Sequence, residues 1–388
     1  MYRGLTGYYE VSHYGGEAVR AFVPHPLPPE PPLQMETLER LLERASLALG
    51  RLDSVTLLLP EPAIFLYAYV RREAVLSSQI EGTQSSLADL LLFELEQSPG
   101  APINDVLEVS HYVAALEHGM QRLREGMPLS NRLLREMHGV LLARGRGATK
   151  QPGEFRRTQN WIGGTRPGNA HFVPPPPHLV PECMAALERF LHDTTLPTLI
   201  KAGLAHAQFE TIHPFLDGNG RLGRLLVSFI LHYEGVLQRP LLYLSLFLKL
   251  NRREYYRLLD ATRFEGDWEA WLQFFLEGVE GTAQNAVETA RRLVQLFQQD
   301  TARVAELGRL APSAQQVLNA FKERPMQMAR QVQQRTGISM PTVNECISRL
   351  CALGVLSEVT GKRRNRVFAY SEYLRLLSEG TEPMLADA

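Results

Sequence analysis

The feature that most constrains this chain is a twelve-residue stretch, HPFLDGNGRLGR at residues 213–224, set between two strongly apolar helical patterns. Upstream, Ile200, Leu204 and Ala207 recur at i, i+4, i+7; downstream, Leu222, Leu225, Leu226, Phe229 and Ile230 recur at i, i+3, i+4, i+7, i+8. Both spacings predict helices with a packed face. Pro214 ends the first helix, and Gly218-Asn219-Gly220 forms a tight turn into the second. Arg221, Arg224 and Ser228 fall on the face opposite the leucines. Whatever the rest of the chain does, it must accommodate two packed helices joined by this polar turn.

The chemistry of those residues points one way. Two glycines around a helix start leave backbone N–H groups free to converge on an anion. Asp217 at the turn can hold a hard cation such as Mg²⁺, which keeps waters and phosphate oxygens in its shell. Arg221 and Arg224, one turn apart, can clamp further phosphates. His213 at the lip can take a proton near neutral pH. Taken singly, each has an ordinary structural role: a histidine bonded to a carbonyl, an arginine in a surface ion pair, a GNG turn. Together they describe a site for a nucleoside triphosphate and a nucleophilic hydroxyl.

Helical patterns also cover residues 35–50, 63–96, 103–124 and 130–142, after a proline-dense stretch at 24–33 expected to lie extended on the surface. Residues 150–178 change character: Gly153, Gly163, Gly164, Gly168 and the prolines at 174–177 forbid a long helix. Two strand-like pieces, 160–162 and 171–173, flank GGTRPGNA and predict a β-hairpin turning at Gly168-Asn169. Helices resume near Leu179 and continue, with interruptions, to Leu307. Beyond it, Ser313 caps a helix facing inward with Val317, Leu318 and Phe321, a second helix ends at Thr336-Gly337, and Ser339 caps a third that carries Val343, Ile347 and Leu350 and stops at Gly354. Val355-Leu356 and residues 367–370 alternate like strands around the basic turn GKRRNR, which completes a winged helix-turn-helix pattern. The expected organisation is an N-terminal helical region over residues 1–105, a helical core over 106–307 and a winged helix-turn-helix domain over 308–388.

HPFLDGNGRLGR matches the Fic motif, HPFx(D/E)GNGRxxR, at every fixed position, and nearly the whole chain resembles the common bacterial Fic architecture. The resemblance implies a mainly α fold: a helical Fic core with a small β-hairpin flap, followed by the winged helix. It also implies an ATP- and Mg²⁺-dependent protein adenylyltransferase, which moves AMP onto a Ser, Thr or Tyr hydroxyl of a target protein, or of itself, and releases pyrophosphate. UMP or another phosphate-containing group stays open as the cargo. By that likeness His213 is the base, Asp217 binds Mg²⁺, Gly218, Asn219 and Gly220 hold the α- and β-phosphates with support from Arg221, and Arg224 grips the γ-phosphate.

Far upstream, SSQIEG at residues 77–82 is similar to the family's inhibitory signature, [ST]xxxE[GN], with Ser77 and Glu81 at i, i+4 on one helical face and Gly82 after them. The likeness implies that Glu81 pairs with Arg224, occupies the γ-phosphate site and turns ATP from a productive pose. In some relatives this glutamate is implicated in removing AMP, and the dominant direction stays open here. The hairpin 160–173 is implied to be a target-docking flap that pairs with an extended segment through its backbone. Trp161, Ile162 and His171 are either its clamp or ordinary packing residues.

A different class of function competes for the C-terminal part. Residues 306–388 carry 11 Lys/Arg and 8 Asp/Glu, a net +3, with Lys362, Arg363, Arg364 and Arg366 in the wing. The exposed candidates on the third helix are Thr342, Asn344, Glu345, Ser348 and Arg349, which include one repelling carboxylate. One reading is a DNA-binding regulator whose core senses nucleotide; the other is a winged helix used for dimerisation or domain packing. A homodimer is compatible with the sequence, not demanded by it. The whole chain has 388 residues and a formal charge of −1, which excludes a uniformly basic nucleic-acid coat. Cys183, Cys346 and Cys351 make no CxxC and cannot all pair, which disfavours a disulfide framework. The first residues, MYRGLTGYYE, do not read as a signal peptide, and the most apolar stretch, 55–70, is cut by Pro60, Glu61 and Pro62. The expectation is a cytoplasmic protein with no membrane span.

Overall fold

A computed structural model describes residues 3–14, 16–58, 62–96 and 98–382 of the chain. Its first element, a β-hairpin, is absent from the reading of residues 1–105 as an N-terminal helical region. Gly7–Tyr14 (β1) and Glu17–Pro24 (β2) form an antiparallel hairpin in which Tyr9 faces Phe22 and Val11 faces Arg20. Aromatic and β-branched residues recur through both strands beside a glycine turn, the ordinary hairpin signal. The proline-dense stretch then runs without regular structure, mostly exposed, as expected. Arg3 anchors it by donating to the carbonyls of Pro31 and Pro32 while gripping the Glu269 carboxylate with two 2.6 Å bonds.

Helices follow: Glu39–Leu58 (α1), Pro62–Ile80 (α2), Leu87–Glu94 (α3), Ile103–Arg124 (α4) and Asn131–Leu141 (α5). Pro62 opens α2, while Pro60 and Glu61 lie outside the described residues. The single pattern expected over 63–96 is broken after Ile80. Ser86 starts a new helix by accepting from the Asp89 N–H while the Asp89 carboxylate accepts from the Ser86 N–H. That reciprocal cap outcompetes continuation of the first helix. Glu81 therefore stands just past the end of α2, its N–H still bonded to the Ser78 carbonyl at 3.0 Å. It is not within the helix with Ser77.

Residues 142–179 are loop with short 3₁₀ turns. The flap folds back as expected but pairs through a single bridge, Ile162 with Phe172. Its outgoing strand is continued by β2, whose Phe22 N–H donates to the Val173 carbonyl at 2.8 Å. Next come Val180–Leu191 (α6), Thr198–Ile212 (α7), Asn219–Tyr233 (α8), Ser245–Leu250 (α9), Arg252–Phe264 (α10) and Trp268–Ala305 (α11). α7 and α8 are buried along almost their whole length, as the apolar spacing around residues 213–224 demands. α11, about 57 Å long at 1.5 Å per residue, packs against α1, α7 and α10 and leads to the C-terminal elements.

Those are Ala311–Glu323 (α12), Met326–Met328 (β3), Ala329–Thr336 (α13), Met340–Ala352 (α14), Leu356–Glu358 (β4), Val367–Tyr370 (β5) and Ser371–Ser378 (α15). Besides the two strands expected here, a third, β3, joins to give an antiparallel sheet β3-β5-β4. Ser339 caps α14 as expected. Ser313 caps nothing, because α12 begins at Ala311 with Pro312 in its first turn. The C-terminal elements do not stand apart. Tyr370 donates to Asp300 of α11 at 2.7 Å, and the apolar residues of α12, α14 and α15 belong to one buried cluster with those of α1–α11. Among the described residues no helix is long and apolar enough to cross a membrane, and the three cysteines are free.

Candidate active site

The site grows from the link between α7 and α8. α7 ends on His213, which takes a left-handed backbone (φ 48°, ψ 60°) and bonds its N–H to the Phe209 carbonyl. The loop is then closed by Asn219. Its side-chain oxygen accepts from the Phe215 N–H and its amide donates to the Phe215 carbonyl, both at 2.9 Å. Phe215 is buried and stacked on His138, ring centroids 3.7 Å apart. The side chain of Asn219 is thus committed to shaping the loop. Gly218 (φ 76°) then turns the chain into α8, whose N-terminus has no side-chain cap among the described residues.

Glu81 sits against that N-terminus. A Cβ placed on Gly220 would lie 2.3 Å from Glu81 Oε1 and 3.0 Å from Arg224 Nη1, so a side chain there would have to displace the Glu81 carboxylate. The same carboxylate oxygen accepts from Arg224 Nη2 at 2.7 Å. Arg224 is buried, and its position does not depend on Glu81 alone: Nε donates to Ser77 Oγ at 2.8 Å and Nη2 to the Ser77 carbonyl at 2.9 Å. Glu81 itself keeps 36% of its side chain open to solvent. Burial raises its pKa, yet the Arg224 guanidinium overrides this and holds the carboxyl below the usual range. The structure thus joins Ser77 and Glu81 to Gly220 and Arg224, with Glu81 and Arg224 143 positions apart in the sequence, through a helix N-terminus and a guanidinium that both favour an anion.

Arg221 is also buried, 3.3 Å from Glu108 and 3.4 Å from Asp217, with its Nε unpaired among the described residues. Asp217 is half-exposed; Oδ1 accepts from the Gly218 N–H at 2.6 Å. His138 holds its main chain. His138 Nδ1 accepts from the Gly153 N–H, so Nε2 carries the proton and donates to the Asp217 carbonyl at 3.0 Å. No cluster of three or more His, Cys, Asp or Glu that suits a metal ion occurs among the described residues. A lone half-exposed carboxylate fits a Mg²⁺ ion whose other ligands are phosphate oxygens and water.

His213 faces the opposite constraint. Its ring is mostly buried, and Nδ1 lies on the Glu210 side, 4.0 Å from Glu210 Oε2. Burial, reinforced by the charges of Arg156 and Arg263, lowers its pKa to about 4. Glu210, also buried, is pushed up to about 7. His213 is consequently neutral at physiological pH.

The three flap residues separate. Ile162 makes the bridge to Phe172. Trp161 packs with Val19, Ala21 and Val173, where β2 backs the flap. His171 is exposed, with Nε2 2.7 Å from Asp260 Oδ2 of α10. Several residues that shape the site escaped the sequence reading. Arg156 is buried and donates from Nε to the His213 carbonyl at 2.9 Å and from Nη2 to the Pro175 carbonyl, tying the loop between α7 and α8 to the proline run. Arg263 bonds Thr211 and the Glu210 carbonyl from α10. No local pattern marks Arg156, His138 or Arg263, since each acts across the fold.

Comparison with known proteins agrees with this architecture. Residues 39–121 match the Fic/DOC family N-terminal region and residues 128–231 match the Fic/DOC family. The chain is 31% identical over 208 residues to Protein adenylyltransferase Fic of Drosophila yakuba, a match covering 52% of this chain and 39% of that protein. The protein of the same name from Drosophila melanogaster is 30% identical over the same span. The chain thus spans about two fifths of the length of these curated relatives. A crystal structure of a Fic family protein from Desulfovibrio desulfuricans superposes with a TM-score of 0.55 at 22% identity, covering 90% of this chain and 98% of that one. The two matched segments contain, respectively, the Ser77–Glu81 turn and the whole of the loop between α7 and α8, and the chain therefore carries a Fic/DOC N-terminal region followed by a Fic/DOC domain.

Proposed function

We propose that the protein is an adenylyltransferase that moves AMP from ATP to a Ser, Thr or Tyr hydroxyl of a protein, itself included, and that Glu81 restrains it. The observation that carries this reading is a carboxylate already seated on an anion site, against Gly220 and on Arg224, one loop away from a neutral histidine. The N–H groups of the turn at 218–220 receive the α- and β-phosphates, Arg221 supports them, and Arg224 receives the γ-phosphate once Glu81 leaves. Asp217 would hold Mg²⁺, which supplies charge neutralisation to the phosphates when bound. His213 accepts the proton of the target hydroxyl. The hydroxyl oxygen then forms its bond to the α-phosphorus, and the bond to pyrophosphate breaks. With Glu210 on the Nδ1 side, the proton of the neutral ring is favoured there, leaving Nε2 as the acceptor.

The direct test is intact-mass spectrometry after incubation with ATP and Mg²⁺, for the wild type and for Glu81→Gly; absence of any AMP increment in both sinks the proposal. The histidine gives a pH test. A base whose pKa is lowered in the fold stays neutral further into acid. The acid limb of kcat/KM, which reports the free enzyme, is therefore expected nearer pH 4 than 6.5. A limb at 6.5 or above would mean that another group is being titrated. Asp217→Asn is expected to reduce transfer strongly and to raise the Mg²⁺ concentration needed for half-maximal rate, since a neutral amide is a poorer ligand for a hard cation. An unchanged Mg²⁺ dependence would place the ion elsewhere.

For residues 308–388 the contacts favour packing over DNA recognition. Lys362, Arg363, Arg364 and Arg366 are exposed in the wing, but Glu345 stands on the exposed face of α14, and the groove before that helix is bordered by Leu95 and Glu96 at the end of α3. The Tyr370–Asp300 bond ties the same unit to α11.

A further inference from the structure

Arg224 is not the only group that positions the turn carrying Glu81. Residues 379–382, which follow α15, lie across α2 and α9, and four successive carbonyls of this strap are taken by side chains of those helices. Arg72 Nη2 donates to the Glu379 carbonyl at 2.7 Å and Gln79 Nε2 to the Thr381 carbonyl at 2.8 Å. Lys249 Nζ donates to the Gly380 carbonyl at 3.1 Å and to that of Glu382. It also donates to Gln79 Oε1 at 2.7 Å, so the two residues act as one unit.

Gln79 is the centre of this arrangement. It is 1% exposed and stands two residues before Glu81. Its amide nitrogen donates to the Ser85 carbonyl at 2.9 Å as well as to Thr381, so one side chain ties the helix before Glu81, the segment after it and the strap together. The Glu379 carboxylate is in turn held by both terminal nitrogens of Arg292 on α11, at 2.8 and 2.9 Å. Gly380 allows the close approach: its φ is 82°, and a Cβ there would lie 2.7 Å from Leu246 Cδ1.

We propose that residues 379–382 are a latch that holds Glu81 on Arg224, so that the C-terminal unit sets how strongly the transferase is restrained. The inference rests on the reading of Glu81 as the restraining group. Buried donors such as Gln79 Nε2 and Lys249 Nζ cannot remain unpaired when the strap leaves, so the turn between α2 and α3 must rearrange or admit water. The strap is held through its main-chain carbonyls by the polar contacts of Arg72, Gln79 and Lys249. Such a segment opens at low cost compared with the core.

The test uses two variants of the full chain. Gly380→Val strains the left-handed backbone at φ 82° and crowds Leu246, and Lys249→Met removes the shared donor while keeping the apolar stem. Two quantities are read: hydrogen exchange over residues 77–85, and the rate of self-modification by intact mass. Both variants are expected to lose exchange protection over 77–85, with α7 unchanged. Both should raise the rate on the order of tenfold, the usual scale of coupling between sites, and add nothing in the Glu81→Gly background. Unchanged protection in both variants overturns the latch. So does a Glu81→Gly chain that is faster than wild type while neither latch variant is. If Glu81→Gly itself is no faster, the restraint reading falls and takes the regulatory role of the latch with it, while the exchange data still decide whether the strap holds the helix.

Discussion

A chain carrying His213→Asn is expected to bind ATP as the wild type does and to transfer AMP slower by on the order of 10²–10⁴-fold, the usual loss when a positioned general base is removed. Asparagine is a better choice than alanine because His213 has a left-handed backbone. Alanine there adds strain of roughly 1–2 kcal/mol, whereas asparagine visits that region readily and cannot accept the proton. The loop should survive, since Arg156 holds residue 213 through its main-chain carbonyl and Asn219 closes the loop through Phe215. Nucleotide affinity measured by calorimetry and transfer measured by intact mass separate the two effects. Full transfer in a folded His213→Asn chain would remove His213 from its assigned role. A joint loss of affinity and transfer would instead assign it to shaping the phosphate site.

The loop between α7 and α8 was legible because its chemistry forces its residue types locally. A helix stop, a left-handed turn and an anion-binding helix start each select particular residues, and all fall within twelve positions. The contact between Glu81 and Arg224 is different. Nothing in local spacing links residues 143 apart; only the short SSQIEG pattern read beside the first motif suggested it. The break that leaves Glu81 at a helix end was readable in the Ser86–Asp89 cap but was overridden by the longer apolar pattern across 63–96. The β1–β2 hairpin was missed despite its alternation, and with it the reason Trp161 packs inward. β3, three residues long, is too short to show any alternation and is defined by pairing with β5. Arg156, His138 and Gln79 act on main-chain atoms far away in sequence, and such roles leave no periodic trace.

The second large effect is expected from Glu81→Gly, which should speed both self-modification and target modification. The geometry sets the scale. Glu81 contributes one charge-assisted bond to Arg224, and its carboxylate is partly open to water. Such a bond is worth about 1.5–3 kcal/mol, nearer the lower figure with solvent screening, so its removal should favour the productive ATP pose by roughly tenfold or somewhat more. Arg224 should keep its place, because Ser77 binds it through both hydroxyl and carbonyl. Arg224→Ala should behave differently. It removes the partner of Glu81 and the proposed γ-phosphate ligand together, so transfer should stay low. The double variant should resemble Arg224→Ala, since freeing a site has no effect once its cation is gone. That non-additivity is the mark of two residues acting at one site. A folded, ATP-binding Glu81→Gly chain with an unchanged rate would overturn the restraint. An equal acceleration in the Arg224→Ala background would show that Glu81 acts by some route other than Arg224. The N-terminus of α8 would then be the first alternative, because the same carboxylate oxygen that accepts from Arg224 also lies over Gly220.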